Sequence, residues 1–229
     1  MPAVSPTTDR TASPGGPPPL VPALAFGVLT IAAVVAGVGI PRPGASAAHA
    51  LAYDSGHVGL LRLLATLLFA SSIPLAIWAA VTYRRLRGLG VGGPGPLMGF
   101  AGGILAAVSV AASGLFTWTA AESAGIGNAA IARVLTSAAF AFGAAGFVVP
   151  LGLLVAGFAV PALILHLLPR PIAWAGLVIS VLAMASTLTL LTASLDPLLP
   201  IGRFGGLLWI VVAAAMLPRD RTQTAVTPQ

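Results

Sequence analysis

Residues 129–168 read AAIARVLTSAAFAFGAAGFVVPLGLLVAGFAVPALILHLL, and Arg133 and His166 are their only ionisable side chains. As one helix this stretch would be ~60 Å long at 1.5 Å per residue, about twice the ~30 Å hydrocarbon core of a bilayer. So long an apolar run belongs in a membrane, but one straight span cannot account for it. The preferred reading is an external or interfacial helical start followed by one span over about 142–166, kinked at proline. The alternative is two short helices joined near Pro150, which would move every later segment to the opposite side of the membrane. Non-helical backbone at that depth would need shielding by other protein.

Other apolar runs flank this one. Residues 20–40, 57–83, 96–120, 172–193 and 201–217 each approach or exceed the ~20 residues a helical span needs. The fold expected is an all-α, polytopic helical bundle with about six transmembrane helices in one domain, 20–217. Residues 1–19 are rich in Pro, Ser and Thr, have no apolar periodicity and read as a disordered cytoplasmic tail; residues 218–229 form a second, short one. The run 20–40 is longer than the ~7–15 residues of a signal-peptide core. Ala-Ser-Ala at 45–47 and Ala-His-Ala at 48–50 nevertheless resemble cleavage sites, so both a retained first span and a cleaved leader stay open.

Composition agrees. Of 229 residues, 58% are hydrophobic and only 7% charged, against roughly 25% charged in soluble domains. The net charge of +6 comes entirely from Arg on the basic side, with no basic stripe interleaved with aromatics, so nucleic acid is not an expected partner. The lack of Lys, together with abundant Ala and Gly, suggests a GC-rich bacterial genome. With no Cys there is no disulfide or thiolate chemistry, and His49, His57 and His166 lack metal-ligand spacing, so neither a metal nor a cofactor is expected.

Arginine also sets orientation. Arg10, Arg84, Arg85, Arg87, Arg170, Arg219 and Arg221 fall on one side of the alternating spans, and Arg42, Arg62, Arg133 and Arg203 on the other. The richer side is cytoplasmic by the positive-inside rule, which gives N-in and C-in in the cytoplasmic membrane.

The minority arginines define the candidate site. Arg62, Arg133 and Arg203 lie near the outer starts of the second, fourth and sixth helices, and the outer loops carry Asp54, Glu122 and Asp196, with Tyr53 and His57 close by. A cation at a helix N-terminus opposes the macrodipole and needs a carboxylate, a lipid phosphate or a bound anion. Either these arginines snorkel and pair with loop acids, or they converge on an outward-facing pocket for an anionic ligand. Within the spans there is no Asp, Glu or Lys at mid-depth, which argues against a proton-coupled carrier. The hydroxyls there (Ser71, Ser72, Ser109, Ser113, Thr117, Ser180, Ser186, Thr187 and Thr189) are expected to bond their own or neighbouring helices. Gly99, Gly103, Ala107 and Ala111, and Gly202 with Gly206, repeat at four-residue spacing and favour close helix contact.

The segments LLRLLA (60–65), LPRPIAW (168–174) and 207–217 resemble bacterial membrane proteins grouped as domain of unknown function 4386. The resemblance covers about 20–217 and implies a compact multi-span helical domain, with no catalytic residues to carry over. The expected role is non-enzymatic: lipid or small-ligand binding, or regulation of another membrane protein. A transporter or permease-like facilitator is the second reading and a membrane-embedded enzyme the third. Membrane lipids, a second copy of the chain or a partner membrane protein are the partners expected.

Overall fold

The computed structural model describes residues 18–42 and 44–218. The tails expected over 1–19 and 218–229 lie outside these residues, apart from the prolines at 18, 19 and 218. All regular structure among the described residues is helical. In chain order the helices are α1 (Leu20–Ala36), α2 (Ala47–Gly56), α3 (Val58–Gly88), α4 (Gly95–Ser123), α5 (Ala129–Gly143), α6 (Ala145–Ile164), α7 (Arg170–Ala185) and α8 (Leu198–Met216). Short 3-10 turns follow α4 and α7 and precede α8.

Five stretches are long and apolar enough to cross a membrane: Val58–Gly88, Gly95–Ile126, Ala129–Ile164, Arg170–Leu190 and Ala193–Met216. The helix α1, of 17 residues, is apolar but shorter. Large apolar side chains point outward from every side of the bundle, among them Val28, Ile73, Leu105, Val178 and Leu208, each more than half exposed. Water would not tolerate such a belt, whereas lipid would.

Consecutive passes run in alternating directions. One end gathers the C-terminal turns of α1 and α4 with the starts of α3, α5 and α8, since residues 37–42, 61, 117–120, 136 and 199–203 border one cavity. The opposite end brings Leu86, Ala162, Leu168 and Leu217 together, and Arg85 reaches the Leu217 carbonyl there at 3.5 Å. Between the two ends the interior is filled by Leu75, Val148, Leu151, Leu154 and Val155, all fully buried.

The close approach of α4 to α6 is built on glycine. A Cβ on Gly157 would lie 2.5 Å from the Gly99 Cα, and one on Gly102 would lie 2.5 Å from the Leu154 backbone nitrogen. Only hydrogen fits between these backbones, the reason small residues mark helix contacts in lipid. Gly202 and Gly206 on α8 make room instead for the side chains of Val148 and Leu151 of α6.

The stretch 129–168 forms two helices, α5 and α6. Its interruption falls at Ala144 (φ −92°, ψ −105°), and both prolines sit inside α6. The two helices α5 and α6 follow one path antiparallel to α4: Ser113 meets Ala139 and Gly143, Gly102 meets Leu154, and Gly95 meets Gly157 and Pro161. The prolines remove the amide donors that would reach Gly146 and Gly157, where the missing side chain leaves the most room for the ring. After α6, His166 takes up φ 52° and the Leu167 amide returns to the Ala162 carbonyl at 2.9 Å, closing the helix with a left-handed cap.

The segment between the apolar runs 20–40 and 57–83 contains a helix. Ser46 caps α2 by accepting the His49 amide at 3.2 Å. This ten-residue helix rests on α5 and the α4–α5 turn at the cavity end of the bundle.

Candidate functional site

The cavity at this end has a volume of about 460 Å³, within the roughly 300–1,000 Å³ of ligand pockets. Its floor is apolar, with Leu61, Leu64, Leu68, Val110 and Phe147. Polar groups enter from different elements: Thr30 on α1, Arg42 after it, Asp54 on α2, Ser113 and Thr117 on α4, Thr136 on α5 and Arg203 on α8.

Arg203 is fixed by the broken helix. At Ala144 the Phe147 amide turns to the Ala144 carbonyl at 3.1 Å instead of that of Gly143. The Gly143 carbonyl thereby loses its helical donor and accepts Arg203 Nη2. The guanidinium also lies over the Phe147 ring, 5.4 Å from its centroid. One turn earlier Ser113 Oγ donates to the Ala139 carbonyl at 2.7 Å. Side chains of α4 and α8 thus bond backbone carbonyls at the interruption and one turn before it. Among the described residues no carboxylate pairs with Arg203; the ion pair they contain joins Arg62 to Glu122.

Asp54 occupies the cavity wall contributed by α2. It is 2% exposed, and Oδ2 has no hydrogen-bond partner among the described residues. Burial pushes its carboxyl above the usual aspartate range. Burial, and after it the Asp54 charge, also raises the neighbouring Tyr53 phenol. Thr30 Oγ1, on α1, is a second buried, unpartnered polar atom in the lining.

The seven residues singled out from sequence do not form one cluster. Asp54 and Arg203 border the cavity. Arg62 Nε and Glu122 Oε1 bond each other at 2.8 Å, with both side chains substantially exposed, outside the lining. His57 stacks on Tyr53 at 4.3 Å between centroids, and its Nδ1 lies 2.9 Å from the Tyr53 carbonyl oxygen. Arg133 and Asp196 are exposed and not part of the lining. Arg42, Thr30 and Thr136 line the cavity without having been singled out; Arg42 was visible only as one more outer arginine.

The span hydroxyls mostly bond their own helix: Ser71 to Leu68, Ser72 to Phe69, Thr117 to Ser113, Ser180 to Leu177 and Thr187 to Met184. Among the described residues Ser113 is the exception, reaching the Ala139 carbonyl on α5 one turn before the break. Among the described residues no three His, Asp or Glu side chains gather as a metal site. No protein-family model matches this chain, and no curated protein or solved structure shows significant similarity to it.

Proposed function

We propose that this chain is a six-span protein of the bacterial cytoplasmic membrane with both ends inside, and that its outer cavity binds the acidic head of an amphipathic ligand without transforming it. The observation that carries the binding reading is Arg203, a guanidinium inside the bundle on a cavity wall, facing a carbonyl and a ring but no carboxylate. An ionisable group at such depth is expensive and marks a functional site by default. Among the described residues one of its five donors has a partner, which leaves the planar fork to a carboxylate or phosphate.

The cavity end carries Arg42, Arg62, Arg133 and Arg203, and the other end carries Arg84, Arg85, Arg87 and Arg170, to which the proposed topology adds Arg10, Arg219 and Arg221 from the sequence before α1 and after α8. This bias supports placing the cavity on the outer side. Counting α1 as a span requires some local thinning, because its 17 residues reach only ~26 Å. A reporter fused at Gly92 reads as cytoplasmic on this topology; an extracytoplasmic signal overturns it.

The binding test compares the full chain with Arg203→Gln in detergent, titrating dioleoyl phosphatidylglycerol and reading bound lipid by native mass spectrometry. Gln keeps a donor for Gly143 while removing the charge. Loss of bound lipid in a variant that is folded and equally abundant is the expected result; equal lipid binding by both proteins refutes the reading. A facilitator is the second reading, favoured by the hydroxyls of Thr30, Ser113, Thr117 and Thr136 on the cavity wall. It would need the layer of Leu75, Leu151 and Leu154 beneath them to open.

A further inference from the structure

The same cavity holds an acid as well as a base. Asp54 belongs to α2, which packs against α5, whereas Arg203 belongs to α8, which packs against α6, α7 and α1, so the two charges come from separate walls. Arg42 stands at the rim on the connection from α1. Structural pairing does not account for the acid: it is buried, Oδ2 is unpartnered, and no described cation lies within ion-pair distance of it. Of the bases near this end, Arg62 is engaged by Glu122, Arg203 by Gly143, Arg133 is exposed outside the lining, and Arg42, exposed at the rim, forms no ion pair with it. A buried carboxyl in such a site is either neutral or matched by a cation from outside the protein.

We propose that the cavity takes a zwitterion, whose acidic group docks on Arg203, whose primary ammonium donates to the Asp54 carboxylate once that buried side chain turns into the cavity, and whose apolar remainder lies against Leu64, Leu68 and Phe147. This rests on the binding reading above and narrows it from an anion to a zwitterion. A phosphoethanolamine lipid head and a free amphipathic amino compound share this chemistry. A quaternary ammonium does not suffice, because it has no N–H to give the oxygen. The cavity separates α5 from α1 and α8, helices along which α5 does not pack, so acyl chains can leave sideways into lipid.

The experiment uses the full chain in detergent with dioleoyl phosphatidylethanolamine, phosphatidylglycerol and phosphatidylcholine, and with free phosphoethanolamine as competitor, read by native mass spectrometry. The proposal predicts that phosphatidylethanolamine binds at least ~10-fold more tightly than the other two, the ratio expected of one charge-assisted hydrogen bond. Asp54→Asn abolishes that preference, and Arg203→Gln weakens binding of both lipids. Competition by free phosphoethanolamine marks a soluble ligand as sufficient, and its failure marks the lipid. Equal binding of phosphatidylethanolamine and phosphatidylglycerol by the unmodified chain, or a preference that survives Asp54→Asn, overturns the zwitterion while leaving the anion site standing. Lipid binding indifferent to Arg203→Gln overturns both.

Discussion

Arg203 on the second turn of α8 donates to the carbonyl of Gly143, 60 residues away, where α5 gives way to α6. One side chain thereby joins an irregular piece of backbone to a cavity wall. Arg203→Met should leave that carbonyl unpaired and destabilise the protein by about 1–3 kcal/mol. Arg203→Gln, which retains a donor, should lose less. Thermal unfolding of both variants in detergent separates them.

Asp54 gives a prediction in pH. Its pKa in the folded protein lies above the unfolded value of about 3.8. Its contribution to stability is therefore complete below that value and is lost as pH rises through the higher folded pKa. The empty protein should be more stable at mildly acidic than at neutral pH, and Asp54→Asn should flatten the difference and raise neutral-pH stability. Unfolding temperatures recorded between pH 4 and pH 8 in ligand-free detergent check this; a variant with the original pH slope contradicts it.

The seam between α4 and α6 predicts a contrast between glycines. Gly157→Ala drives a methyl into the Gly99 backbone and should cost about 1–3 kcal/mol or more. Gly93→Ala meets nothing within 4 Å and should be close to neutral. Similar stabilities for the two variants would mean that the helices do not touch as described.

The pair of Arg62 and Glu122 predicts a near-silent result. Both groups are exposed, so Glu122→Gln should change stability by less than about 1 kcal/mol. Because neither lines the cavity, Arg62→Gln should also leave lipid binding unchanged in the native mass spectrum. Loss of binding here would place the ligand on the outer surface instead of inside.

The long helices were legible in the sequence because lipid demands apolar runs of fixed length, and runs as long as 58–83 and 96–120 rarely occur in water-soluble folds. Two features were not. The helix α2 is short and alanine-rich, with polar and charged residues scattered along it, so Ser46 as its cap was the only local signal. The interruption at Ala144 lies among Gly143, Ala144, Ala145 and Gly146, which favour no sharp boundary; Ser113 and Arg203, distant in the chain, supply partners for the carbonyls there. The prolines mark no boundary, since packing against α4, α7 and α8 holds α6 together through them. Arg203 and Asp54 were visible as minority charges on one side, but their convergence depends on α2 and α8 closing over the same space, which no local pattern encodes.

The absence of cysteine allows one direct measurement of the central claim, that the cavity is a ligand pocket governed by Arg203. A single cysteine at Thr136, on the α5 wall, is labelled with a small maleimide in detergent with and without dioleoyl phosphatidylglycerol. Lipid should slow the labelling severalfold in the Thr136→Cys protein and have no effect once Arg203→Gln is added. A rate that lipid leaves unchanged with Arg203 intact, or protection that persists without it, contradicts the account.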